Sequence, residues 1–118
     1  MRFALLLKAL AIVLRIASKR NDAFKRYIGT VSIRIAIKTK NNKGRTFIFN
    51  QGNVSSTSSL QHYDAALVFS DTKTAFAVLK DGTQEASFYA AAAGKLRVEG
   101  MAFFIQWFND AVTIAMKK

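Results

Sequence analysis

The chain has no cysteine, no proline and a single histidine, His62. Without thiols it cannot form a disulfide, present a thiolate nucleophile or hold zinc through sulfur. One histidine likewise excludes a histidine-cluster metal site; no metal and no cofactor are expected. The missing proline leaves the turns to Gly, Asn, Asp and Ser. Acids are scarce as well, seven against 18 Lys and Arg, for a net charge of +11. No apolar run is long and uncharged enough to span a bilayer, because Lys8 and Arg15 interrupt the stretch Phe3–Ala17. Lys8 also splits the unbroken stretch that a secretory signal needs, while a basic organelle-targeting segment stays open as an alternative. What is present is apolar content: 51% of 118 residues are hydrophobic. That excludes a disordered tail and suffices for one core, so residues 1–118 are expected to form a single domain.

The charge is concentrated. Twelve of the basic residues precede Phe47 against one acid, Asp22, and the six that follow are matched by six acids. An anionic partner would therefore meet the N-terminal part. Residues 1–29 read as one apolar, basic helix ahead of a body at 30–116. At about 100° per residue, Lys8, Arg15, Lys19, Asp22 and Arg26 share a stripe about 60° wide. Most of the remaining circumference is apolar, more than one sheet can cover, which calls for a second partner. That partner is an anionic membrane met by Lys8, Arg15, Lys19 and Arg26, or a second subunit in a homodimer. Leu6, Leu10 and Val13 sample the apolar arc.

Beyond the helix, Val31, Ile33, Ile35 and Ile37 alternate with Ser32, Arg34, Ala36 and Lys38, the period of a strand with one buried face. Asn41–Gly44 reads as a hairpin loop with Gly44 at positive φ, and Thr46–Asn50 as the returning strand. Gln51–Asn53 is a turn, Val54–Ser59 a third strand or a loop, and Ala65–Ser70 a short strand covered on both faces. Ser70-Asp71 caps a helix running to Lys80, and Thr83 caps another over Gln84–Ala93. Lys95–Glu99 is a strand between glycines. Met101–Met116 is the last helix, with Met101, Phe104, Ile105, Phe108, Ala111, Val112 and Ala115 on one face and Phe103, Trp107 and Ile114 widening it. The expected class is α+β, with helices gathered on one sheet face.

Three segments carry a resemblance. Asp64-Ala65-Ala66-Leu67-Val68-Phe69-Ser70-Asp71, the Lys80-Asp81-Gly82 helix stop and Gly94-Lys95-Leu96-Arg97-Val98-Glu99-Gly100 resemble the type-two sterol carrier protein domain family. The hairpin Val31–Asn50 fits that family's first two strands, and the long apolar N-terminal helix is similar to its short bacterial single-domain members. Met101 departs from the pattern, since relatives often place Asp or Asn after the glycine. The resemblance implies a sterol-carrier-like sheet of about five strands, mixed or antiparallel, covered by helices around an apolar tunnel. A lipid would occupy that tunnel: an acyl chain, an isoprenoid or a sterol-like molecule. Family-like docking of the helices makes Phe76, Phe88, Phe104, Ile105, Phe108 and Val112 the candidate wall. A cytoplasmic location at the periphery of a membrane goes with that role.

The same residues have plainer readings. An aromatic stripe at helical spacing also describes ordinary core, and a basic stripe also describes a solvated face. His62-Tyr63-Asp64 beside Ser55, Ser56, Ser58 and Ser59 supplies the letters of a catalytic triad. No G-x-S-x-G elbow accompanies them, so no enzyme is expected. Nucleic acid is the third choice after a lipid carrier and a ligand-free oligomeric module. The basic helix carries Leu, Ile and Val where base stacking would want aromatics.

Overall fold

The computed structural model describes residues 2–81 and 89–116. The expected single N-terminal helix is two helices, α1 (Arg2–Arg20) and α2 (Asp22–Ile28). Asn21 separates them: its backbone is extended (φ −102°, ψ 106°), and its side-chain oxygen accepts from the Phe24 N–H at 3.0 Å. An asparagine side chain competes with helical backbone bonding and restarts the helix as an N-cap. The break moves Arg26 off the α1 axis, so the common stripe drawn through Lys8, Arg15, Lys19, Asp22 and Arg26 ends at Lys19.

Five strands follow the expected order. They are β1 (Ser32–Thr39), β2 (Gly44–Asn50), β3 (Asn53–Thr57), β4 (Ala65–Phe69) and β5 (Leu96–Gly100). The sheet order is β3-β2-β1-β4-β5, with β1 and β4 parallel and the other neighbours antiparallel. The sheet is therefore mixed, and the serine-rich segment is its edge strand. In the first hairpin Gly44 has the expected positive φ (158°), and Asn42 is left-handed as well (φ 60°). Gly44 is needed because a Cβ there would collide with the Ile37 carbonyl oxygen.

The period of two sorts the sheet's faces. Ile33, Ile35, Ile37, Phe47, Phe49, Val54, Ala65, Phe69 and Leu96 are buried in one cluster with residues from every helix. α3 (Thr72–Asp81) contributes Ala75 and Val78, and α4 (Ala102–Met116) contributes Phe108 and Ala111. Asp71 caps α3 as expected: its carboxylate accepts from the Thr74 N–H at 2.7 Å, and that bond holds its pKa below the ordinary value. The helix expected at Gln84–Ala93 lies mostly outside the described residues, although 89–92 are helical.

On the opposite face, Ala36, Ala66 and Val68 are covered by Leu60 and Tyr63 from the β3–β4 connection. The Tyr63 hydroxyl donates to Glu99 Oε1 at 2.6 Å, and Arg97 and Lys38 lie 2.9 and 3.9 Å from that carboxylate. The tyrosine hydrogen bond is the main cause of a lowered Glu99 pKa, with Lys38 and Arg97 adding to it. A carboxylate lowered in this way stabilises the fold fully above its ordinary range and loses that contribution as pH falls through the folded value. Replacing Tyr63 with Phe should move the Glu99 midpoint upward in a carboxyl NMR titration. An unmoved midpoint would assign the shift to the cations alone.

Candidate functional site

Two features could serve a ligand: the apolar layer between α4 and the sheet, and the outer surface of α1. The first is built by aromatic packing. Phe108 is 3% exposed and meets Phe47 and Phe49 edge-on, with ring centroids 5.5 and 6.0 Å apart. Trp107 packs edge-on against Phe49 at 4.9 Å and stacks on Tyr27 at 5.6 Å, while the Tyr27 hydroxyl donates to the Trp107 carbonyl. Burial, then the charge of Asp110, raises the Tyr27 pKa. These contacts seal the β1–β2 half of the layer.

The β4–β5 end is less closed. Phe104, Ile105 and Leu67 are half-buried against the core, and Val98, Met101 and Phe103 are exposed, Phe103 to 67%. Of the expected wall, Phe104 and Ile105 thus lie at this end, Val112 is half-buried further along α4, and Phe108 is within the packed centre. Phe76 is half-buried on α3, and Phe88 lies outside the described residues.

Periodicity alone leaves open which part of the α1 apolar arc is covered. The helix's inward face is Phe3, Leu7, Leu14 and Ala17, with Leu10 packed beside them. Leu6 and Val13 are half-buried. The uncovered apolar stripe is instead Leu5, Ala9, Ile12 and Ile16, about 60° wide. Leu5, Ile12 and Ile16 are 67%, 58% and 51% exposed. Lys8, Arg15 and Lys19 border that stripe on one side and Arg20 on the other, all exposed. Arg26 is exposed on α2.

Grooves flank this ridge. One, of about 670 Å³, runs between the α1–α2 break and the end of α4, lined by Val13, Ile16, Arg20, Asn21 and Ile114 among others. The second, of about 380 Å³, separates α1 from the edge strand β3. Neither is lined by any of the six expected wall residues. No helix among the described residues is long and apolar enough to cross a membrane.

The triad letters do not assemble. Asp64 is spent on strand pairing, its carboxylate accepting from the Arg34 N–H at 2.8 Å and its own N–H donating to the Arg34 carbonyl. Tyr63 is bonded to Glu99, and His62 is exposed. Among the described residues no three of His, Asp and Glu gather as metal ligands.

This architecture is α+β, a five-stranded mixed sheet under helices with a long N-terminal helix, and it is the sterol-carrier-protein-like fold. No family model matches the chain. No curated protein matches it either. Solved structures do. "UbiJ-SCP2 Ubiquinone synthesis protein" superposes with a TM-score of 0.67 at 14% identity, covering 94% of this chain and 96% of that one. A structure of sterol carrier protein 2 gives 0.57 at 17% identity, over 92% and 95% of the two chains. A conserved hypothetical protein from Thermus thermophilus, described as possibly a sterol carrier protein, gives 0.56 at 16%, over 91% and 84%. At identities this low the superpositions show a shared fold alone.

Proposed function

We propose that the chain is a non-enzymatic carrier, a single domain over residues 1–118 that holds one long apolar lipid between its sheet and helices. An acyl chain, an isoprenoid or a sterol-like molecule fits that description. The observation that carries this reading is the incomplete closure of the apolar layer. Val98, Met101 and Phe103 stand exposed beside half-buried Phe104 and Ile105 at the β4–β5 end, while the β1–β2 end is packed shut. Apolar side chains uncovered in a continuous run mark a place for an apolar occupant. The likeness to structures titled as sterol carriers and as a ubiquinone synthesis protein supports the same class of ligand. Phe76, Phe88, Phe104, Ile105, Phe108 and Val112 remain the proposed wall, with Phe104 and Ile105 nearest its open end. The carrier would work at an anionic membrane, met through the apolar stripe of α1 and its basic borders.

Native mass spectrometry after gentle extraction tests the reading. The expected result is a monomer carrying one lipid-sized adduct that organic solvent removes. A bare dimer would favour the ligand-free oligomeric module instead, and co-purifying nucleic acid resistant to physiological salt would favour the third choice.

A further inference from the structure

The groove between α1 and β3 has a composition that an apolar carrier does not need. Lys8, Ile12 and Arg15 line it from the helix, Arg45 from β2, and Ser55 and Ser56 from β3. Its three charged residues are all cations. The ion pairs among the described residues, Lys38–Glu99 and Arg97–Glu99, involve none of them. Arg45 is half-buried, and its Nε donates to Ser56 Oγ at 2.7 Å. That bond fixes the guanidinium plane and leaves its terminal N–H groups for a partner. β3 is the sheet's edge, so alternate backbone N–H groups also point away from the sheet. Three cations and the Ser56 hydroxyl brought together without a carboxylate form a site for a phosphate oxyanion.

We propose that this groove binds the phosphodiester of an anionic phospholipid. Ile12 decides between lipid and free phosphate: it lines the groove and also belongs to the exposed stripe of α1. A ligand with a phosphate and an apolar tail satisfies both surfaces at once, and inorganic phosphate satisfies one. A second copy of the chain would bring its own uncompensated cations to the same face. The assignment rests on the membrane-facing reading of α1 and is independent of the lipid held between sheet and helices.

The test compares wild type, Arg45→Gln and Lys40→Gln on phosphatidylcholine vesicles containing about 30% phosphatidylglycerol. Lys40→Gln removes the same charge from the exposed turn that follows β1. Losing charge-assisted hydrogen bonds should weaken binding by about tenfold or more for Arg45→Gln, against about threefold or less for Lys40→Gln. Lys8→Gln, at an exposed position, carries the comparison if Arg45→Gln melts early. Equal losses for groove and control variants would overturn the site in favour of a diffuse surface field. A second arm uses no vesicles. Dihexanoyl phosphatidylglycerol below its micelle concentration should shift the Ser55 and Ser56 amide resonances more than inorganic phosphate does at the same concentration. Equal shifts would overturn the lipid source, and no shift from either would overturn the site. This arm separates the groove from membrane docking, since it stands even where wild type ignores vesicles. An acyl-chain probe bound equally by wild type and Arg45→Gln separates it from the interior lipid.

Discussion

Replacing Phe108 with Ala should cost about 3–5 kcal/mol of stability, the range for deleting a buried aromatic side chain. The ring is 3% exposed and wedged edge-on against Phe47 and Phe49. Two strand aromatics would lose a partner together, and neighbours this densely packed collapse only in part around the void. Chemical denaturation should show a lower midpoint with an unchanged slope. Phe104→Ala offers the contrast. That side chain is half-buried at the open β4–β5 end, so its removal should cost less stability and more affinity for an acyl-chain probe. A Phe108→Ala protein as stable as wild type that no longer binds the probe would make Phe108 a wall residue with no packing role. Equal probe affinity in folded Phe104→Ala would remove Phe104 from the wall.

The elements most legible in the sequence were those fixed by local chemistry. Alternation of Ile33, Ile35 and Ile37 specifies a strand with those three side chains on a core face whatever surrounds it, while the covering of Ala36 on the other face is set by the β3–β4 connection. Asp71 needs only the helix it caps. What was misread or left open comes from choices that tertiary structure makes. Asn21 sits in a polar run, Ser18–Asp22, inside an otherwise helix-favouring stretch; its side chain caps α2 while its amide donates to the Ile114 carbonyl of α4 at 3.3 Å, and together these outweigh propensity across the break. The serine-rich strand β3 has little alternation of its own and forms because β2 offers an unpaired edge beside it, with Val54 reaching the core. On α1 the periodicity showed a charged stripe and a wide apolar arc. Which part of that arc is covered depends on where the sheet, α3 and α4 dock. The basic groove was not legible at all, because Lys8 and Arg15 meet Arg45 only through the packing of α1 over β3. Separately, each is an ordinary surface cation.

The covered and uncovered parts of α1 lead to the second large effect. Leu5→Ser, Ile12→Ser and Ile16→Ser together should leave the fold intact and abolish binding to anionic vesicles. These three side chains are 67%, 58% and 51% exposed, so folding buries only about a third to a half of each, well short of a core side chain. At a membrane they would leave water beside Lys8, Arg15, Lys19 and Arg20, whose charges stay in the headgroup layer. Partial insertion at roughly 1 kcal/mol per side chain gives about 3 kcal/mol, on the order of a hundredfold in partitioning. Leu7→Ser with Leu14→Ser is the internal contrast. Both residues are fully buried, so this pair should unfold or aggregate the protein regardless of any membrane. Circular dichroism and vesicle flotation on the two variants read the outcomes separately. Should the exposed-stripe variant unfold, the stripe would be structural and the membrane reading of α1 would fall. Were it to stay folded and bind vesicles as before, the cations alone would hold the membrane. A wild-type dimer that becomes monomeric in this variant would hand the stripe to a second subunit. Against that last outcome stands the charge pattern: a self-paired α1 would bring two sets of cations together along both borders of the seam, where an anionic surface would neutralise them.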